Sequence, residues 1–303
     1  MKLSLMISGM VPHVIPDLVD LPNLARDLEA AGADEFVIGE HLLQSPDMGH
    51  HGVGSPKIHW DFGRPFLDPY VTLAAISATT QRADLTTGAL LGATRPAIIV
   101  AKAVASLDVL SGGRASLGIA AGWWAPELEA AGVRPDERLA KVDELISVCR
   151  LLWGEQPVSF SGNWTKFENM WSYPRPIRGS KTPIWFGGRP SKSTMSRVVC
   201  ACDGWMASQA TSIDEIAIAV KLLDDACTTY DRSIGDFGIR ATVPPTIRAD
   251  DNDLELTLER SVAYARRLLS IGVTNVCLPL AQLVSSRDEA TYFVRSFSQS
   301  FAV

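Results

Sequence analysis

The sequence predicts a (β/α)8 barrel, a single α/β domain over residues 1–303 with insertions at the C-terminal mouth. Three observations lead there. Short apolar runs of strand length alternate with longer helical segments along the chain, giving eight strands and about eight helices. The stretch Arg82–Trp124 (RADLTTGALLGATRPAIIVAKAVASLDVLSGGRASLGIAAGWW) reads as strand, Gly-rich exit, Pro-started helix, tight turn and second strand. Such a unit implies neighbouring parallel strands joined by a right-handed crossover. Finally, 303 residues are long for an ordinary domain but usual for one alternating barrel, and neither a linker nor a low-complexity tract divides them.

The elements follow in order. Leu3–Ile7 is the first strand, and MKLSLMISGM is too short an apolar run for a signal segment. A helix begins at Asp20, has Pro22 in its first turn, carries Leu21, Leu24, Ala25 and Leu28 on one face and ends at Gly32. Glu35–Ile38 is the second strand. Residues 42–67 form a long Gly/Pro/His-rich loop without periodicity, of the kind usually reserved for function. Asp68-Pro69 is a cap followed by Pro at the first helical position, opening a helix through Thr80.

Leu85–Leu91 is the third strand. In the Pro96-initiated helix Ile98, Ile99, Lys102, Ala103, Ser106, Leu107 and Leu110 advance at helical spacing until Ser111-Gly112-Gly113. Ala115–Ala121, closed by Gly122, is the fourth strand. A helix over Asp136–Trp153 has Leu139, Val142, Leu145, Ile146, Cys149 and Leu152 as its buried stripe, and Val158–Phe167, broken by Ser161-Gly162-Asn163, is a hairpin. The last four strands are Ile184–Phe186, Asp203–Ala207, Ile239–Ile247 and Asn275–Leu280. Their helices cover residues following Gly187–Ser191, then Ser212–Tyr230, Leu254–Ile271 and Ser286–Phe301.

Composition narrows the function. A net charge of −6 without a Lys/Arg run argues against nucleic-acid or anionic-membrane partners. No apolar stretch approaches a membrane span. Five scattered cysteines, with Cys200 and Cys202 one residue apart, suit reduced, buried thiols in a cytoplasmic protein rather than disulfides or a zinc knuckle.

Residues at the C-terminal strand ends of a barrel converge on one mouth. Here they are Glu40, His41, Gly88, Ala89, Gly122, Trp123, Gly187, Gly188 and Ser208. Glycine, alanine and tryptophan dominate, and only His41 and Glu40 are proton-active. That composition suits a flat cofactor that brings its own chemistry better than a charged hydrolytic triad. His41 is the candidate acid/base. Glu40 is either a cofactor contact or an anchor for a backbone or loop partner. Gly187-Gly188-Arg189-Pro190-Ser191, between strand and helix, has the makings of a phosphate site: glycine N–H groups, a helix N-terminus and an arginine. Its alternative is a plain tight connection with a serine cap. His50, His51 and His59, with Asp61 nearby, lack i, i+4 spacing or any HExxH pattern, so no metal site is expected. His13, Trp60 and Trp123 are candidate walls of a substrate pocket, and Trp124 serves either there or as a cap of the core.

FLDPYVTLAAISATTQRADLTTGALLGATRPAIIVAKAVASLDVLSGGRASLGIAAGWW closely resembles the bacterial luciferase-like superfamily of flavin and deazaflavin oxidoreductases. GADEFVIGEHLL, ERLAKVDELISVCRLLWGEQPVSFSGNW, YPRPI…PIWFGGRPS and CDGWM resemble it too, in the same order, as far as about Ala207. The resemblance implies a flavin-type ring at the mouth. His41 matches the histidine that approaches the reactive ring; Gly88 and Ala89 match a strand bulge, often a non-proline cis peptide, that backs it. Gly122 matches the strand end beside the ring, and Gly187 with Gly188 the cofactor phosphate loop, with Glu40, Arg189 and Ser208 as further cofactor contacts. The branch most alike uses the deazaflavin coenzyme F420, which transfers hydride; FMN with dioxygen is the alternative. The resemblance also implies a homodimer, a small-molecule substrate and a separate reductase as the source of reduced cofactor. The superfamily's sugar-phosphate dehydrogenases place a glutamate where this chain has Trp123 and a lysine where it has Ala210-Thr211. A bulky apolar or aromatic substrate therefore fits better than a sugar phosphate.

Overall fold

The computed structural model describes residues 1–8, 14–15, 17–45, 48, 65–248 and 253–302. Eleven strands form among them: β1 (Lys2–Met6), β2 (Glu35–Ile38), β3 (Asp84–Thr87), β4 (Leu90–Leu91), β5 (Ala115–Ala120), β6 (Val158–Ser161), β7 (Lys166–Met170), β8 (Ile184–Gly187), β9 (Gly204–Met206), β10 (Gly238–Thr242) and β11 (Asn275–Pro279). The helices are α1 (Leu21–Ala30), α2 (Pro69–Ser77), α3 (Ala97–Leu110), α4 (Ala125–Ala130), α5 (Arg138–Trp153), α6 (Lys192–Ala201), α7 (Ile213–Thr229), α8 (Leu254–Ser270), α9 (Leu280–Leu283) and α10 (Arg287–Gln299).

Every pairing in the main sheet is parallel, and β3 joins β5 while β1 joins β11, so the sheet closes on itself. Around the ring run β1, β2, β3 (continued by β4), β5, β8, β9, β10 and β11: the predicted eight-stranded barrel. The antiparallel pair β6–β7 stands outside it. Most helices begin where the sequence signals placed them. Asp68 accepts hydrogen bonds from the N–H groups of Tyr70 and Val71 at the start of α2, and Ser212 and Glu215 form a reciprocal capping box on α7.

The partly buried Trp185 packs its indole against the first residues of β9 and β10. A Cβ on Gly204 or Gly238 would lie 2.4 Å or 2.1 Å from its indole, so only glycine at both positions leaves the ring its space. Arg240 lies over that indole, its guanidinium carbon 4.4 Å from a ring centroid, and pairs with the fully buried Glu35. Ser4 and Thr86 donate their hydroxyls to the same carboxylate.

Several sequence expectations needed correction. The Ile98, Ile99, Lys102, Ala103, Ser106 and Leu110 stripe of α3 faces outward, whereas Val100, Ala101, Val104, Ala105, Leu107 and Asp108 face the barrel. An apolar helix of this kind offers two plausible stripes, and the sheet chose the one with small residues. Leu139 of α5 is exposed, although the rest of that helix's stripe is buried. The seventh barrel strand stops at Thr242, because Pro244 and Pro245 start a 3-10 turn over Pro245–Ile247. The hairpin's second strand runs on to Met170, the short helices α4 and α9 had no sequence signal strong enough to separate them from loop, and Cys200 is exposed while the other four cysteines are buried.

Candidate active site

The C-terminal ends of β2, β3, β5 and β8 bring the predicted residues together. The peptide between Gly88 and Ala89 is cis. A Cβ on Gly88 would come within 2.1 Å of Val37, so β2 and β3 approach here as only glycine allows. Gly39, just beyond β2, lies beside the Gly88 carbonyl, and its N–H donates to Ser8 Oγ at 2.7 Å. Across the mouth, a Cβ on Gly187 would sit 3.5–3.7 Å from Ala120, Met206 and Ala89. Small groups from four barrel strands therefore meet in one patch. Met206 underlies it, its sulfur accepting from Arg240 at 3.1 Å.

His41 stands at the edge of this floor with a side chain only 9% exposed. Phe66 and Trp123 meet the imidazole edge-on, at centroid distances of 5.1 Å and 6.0 Å. Its Nδ1 lies 3.1 Å from Glu127 Oε2. The other oxygen of Glu127 accepts from the backbone N–H groups of Leu42 (2.6 Å) and Leu43 (3.1 Å). Glu127 itself is buried. The chain reaches it through Gly122, whose φ of +86° turns β5 out of the barrel. Trp123, Trp124 and the first turn of α4 follow, so a residue seven positions past the end of β5 returns to the histidine beyond another strand. The sequence analysis missed Glu127. Its only signal was Pro126-Glu127, which reads equally well as an ordinary acidic first turn of a helix.

Glu40 is buried, and both its oxygens are engaged: one by Leu91 N–H at 2.8 Å, the other by the Arg95 guanidinium. Arg95 also binds Asp68, the cap of α2. The anchoring role, one of the two alternatives for Glu40, is what its side chain performs. Burial opposes ionisation of Asp68, but Arg95 and the helix-capping N–H groups outweigh it and hold the carboxyl below its ordinary range.

Gly187–Ser191 leads into α6 as predicted. Ser191 caps the helix, accepting from Thr194 N–H at 3.1 Å, while the first-turn N–H groups beside it have no intrahelical acceptor. Trp205 donates its indole N–H to the Gly188 carbonyl at 2.9 Å and fixes the loop's direction. Ser208, beyond β9, shares a hydrogen bond with Thr211 at 2.9 Å. Trp123 is half exposed beside His41; Trp124 is buried and belongs to the core, its indole N–H without a hydrogen bond among the described residues.

His13, Trp60 and the group His50, His51, His59 and Asp61 lie outside the described residues. Among the described residues no cluster of His, Cys, Asp and Glu could hold a metal ion, and no helix is long and apolar enough to cross a membrane.

The closed parallel barrel agrees with the comparison to known proteins. The model of the luciferase-like monooxygenases matches residues 2–290. The chain belongs to that family. An uncharacterised Mycobacterium tuberculosis protein is 32% identical over 204 residues, 66% of this chain and 71% of the relative. Two solved structures show the same fold at 15% identity. One is an F420-dependent secondary alcohol dehydrogenase in complex with an F420–acetone adduct (TM-score 0.76, covering 99% of this chain and 98% of the other). The other is the oxygenating constituent of 3,6-diketocamphane monooxygenase from Pseudomonas putida, a type II Baeyer-Villiger monooxygenase in complex with FMN (TM-score 0.71, 99% and 97%).

Proposed function

We propose that this luciferase-like protein is an oxidoreductase that binds coenzyme F420 and moves hydride between it and a small, apolar organic molecule. The observation that carries the reading is the make-up of the mouth. Its floor is a patch of glycine and alanine backbone, and beside it stands one histidine with its own carboxylate. Residues of that kind shape a site for a planar group and manage a proton, and leave redox chemistry to what they bind. A side chain on Gly88 would fill space that Val37 occupies, and one on Gly187 would rise among Ala89, Ala120 and Met206, so the floor is a cradle that larger residues would close.

Bound deazaflavin supplies a carbon centre that accepts or gives hydride. The chain's own residues do the rest. Gly187–Ser191 and the first turn of α6 would hold the cofactor's phosphate through backbone N–H groups. Arg189 would add positive charge there. Phe66 and Trp123 exclude water from the imidazole and present apolar surface to the substrate. His41 gives or takes the proton that accompanies hydride transfer. No pyridine-nucleotide fingerprint occurs in the sequence, so reduced cofactor would come from a separate enzyme.

FMN with dioxygen is the second reading, favoured by the likeness to the FMN-bound monooxygenase structure. Titrating the purified protein with F420 and FMN side by side, followed by absorbance and fluorescence, decides between them. Tight binding of F420 is expected. Binding of FMN alone would transfer the proposal to monooxygenation, and binding of neither would refute both.

A further inference from the structure

We propose that Arg95 is a positioning residue of the site: its guanidinium draws together the two ends of the long connection between β2 and α2, and so brings Phe66 against His41. The inference rests on the reading of His41 as the proton carrier and adds a residue that reading does not contain. Glu40 immediately precedes His41 at one end of the connection, and Asp68 follows Phe66 by two residues at the other. Arg95 reaches both from the turn between β4 and α3. Its Nε donates to Glu40 Oε1 at 3.0 Å, and its Nη2 donates to the same oxygen and, at 2.6 Å, to Asp68 Oδ2.

Each carboxylate is also tied to a rigid element. The second oxygen of Glu40 accepts from Leu91 N–H of β4 at 2.8 Å. The second oxygen of Asp68 accepts from Tyr70 N–H (2.9 Å) and Val71 N–H (3.1 Å) in the first turn of α2. Arg95 therefore sets the separation of two anchored groups, rather than trailing two mobile ones. The Glu40 side chain is only 2% exposed, and a carboxylate buried that far depends on its cation much more than a surface ion pair does. A lysine keeps the charge but lacks the planar fork that spans two carboxylates. The consequence falls on the site, because the 5.1 Å contact between the His41 and Phe66 rings joins opposite ends of the connection. Glu127 fixes the His41 end from α4, and Arg95 registers that end against the other.

The test reads how well the His41 ring is covered in the protein without cofactor. Diethyl pyrocarbonate acylates accessible imidazoles, and fragment mass spectrometry assigns the product to His41 among the five histidines of the chain. The wild-type ring is 9% exposed and should react slowly. In Arg95→Ala, well below its melting temperature, His41 should react about tenfold faster or more, because the ends of the connection separate locally. Arg95→Lys should fall between the two. Guanidinium ion at about 50 mM, far too dilute to unfold the chain, should slow the reaction again in Arg95→Ala, a repair that general loss of packing would not show. Asp68→Asn keeps the cap of α2 and weakens only the bridge, so it should speed the reaction by a smaller factor. It carries the test if Arg95→Ala, with Glu40 buried and unpaired, fails to fold.

His41 reacting at the wild-type rate in folded Arg95→Ala, or in Asp68→Asn where that is the folded variant, overturns the proposal. So does a faster reaction in Arg95→Ala that guanidinium leaves unaltered. The measurement needs neither cofactor nor substrate, so the role of Arg95 can stand or fall separately from the binding of F420 or FMN.

Discussion

Gly118 and Gly187 lie on the adjacent strands β5 and β8, and an alanine at each adds the same methyl group with opposite expected consequences. At 118 the new Cβ would lie 1.9 Å from the Thr87 carbonyl oxygen and 3.1 Å from the Met206 side chain. A backbone carbonyl cannot rotate away, so β3 and β5 must part by more than about 1 Å to reach ordinary van der Waals contact. That separation breaks two hydrogen bonds, Thr87 Oγ1 to the Gly118 carbonyl (2.7 Å) and Gly118 N–H to Thr87 Oγ1 (3.0 Å). Overpacking costs about 1–3 kcal/mol and each hydrogen bond about 1 kcal/mol net, so Gly118→Ala should lose about 3–5 kcal/mol. For a chain of 303 residues that is a fall in melting temperature of roughly 5–8 °C. At 187 the new Cβ meets Ala120 and Met206 at 3.5 Å and Ala89 at 3.7 Å, all ordinary contacts. Stability should change by less than about 1 kcal/mol, within the range of a tolerated substitution. The methyl would rise from the floor, however, and lift a planar ring by about 1 Å. That forfeits roughly a quarter to a half of the dispersion contact across the patch and should weaken cofactor binding about tenfold or more. Thermal melts and cofactor titrations of the two variants read both effects. A Gly118→Ala protein that melts like the wild type, or a Gly187→Ala protein that binds cofactor unchanged, would refute the geometry argued here.

Other expectations are shorter to state. Ser191→Asp keeps a good helix cap but puts a carboxylate where the cofactor phosphate belongs; affinity should drop about tenfold or more with the melting temperature held, and unchanged affinity would remove the phosphate assignment. Burial of Glu35 opposes its ionisation, yet Arg240, Lys2 and the hydroxyls of Ser4 and Thr86 outweigh that and keep the carboxyl below its ordinary range. Its folded value thus lies under the unfolded value of about 4.3, so the pair's contribution is complete above that pH and is lost as pH falls toward the folded value. The stability gap between wild type and Glu35→Gln should be flat near neutrality and narrow below about pH 4; a gap independent of pH would contradict this. The outward faces of α2 and α3 expose the large apolar residues Val71, Ile98, Ile99, Val109 and Leu110. A second copy is expected to cover them. Light scattering should give a dimer, and Ile99→Glu combined with Leu110→Glu should give folded monomers; a monomeric wild type would end that expectation.

Local chemistry made much of this protein legible in its sequence. Alternating strand and helix patterns, the Asp68-Pro69 start, the capping serines and the glycines at 32, 112, 113 and 122 act within a few residues, so they can be read without knowing the neighbours. The same holds for the mouth's small residues, because a glycine or alanine at a strand end keeps its meaning wherever the other strands lie. What the sequence could not decide depended on distant partners. Most of the α3 positions picked out by their spacing, from Ile98 to Leu110, face outward, because the sheet buries the side carrying Val100, Val104 and Asp108 instead. Glu40 and His41 are adjacent in the chain, yet Arg95 takes the first as an anchor and Glu127 takes the second as its partner, across separations of 55 and 86 residues. Whether a carboxylate anchors a strand or orients a base depends on which donors surround it, and only closure of the barrel brings those donors together.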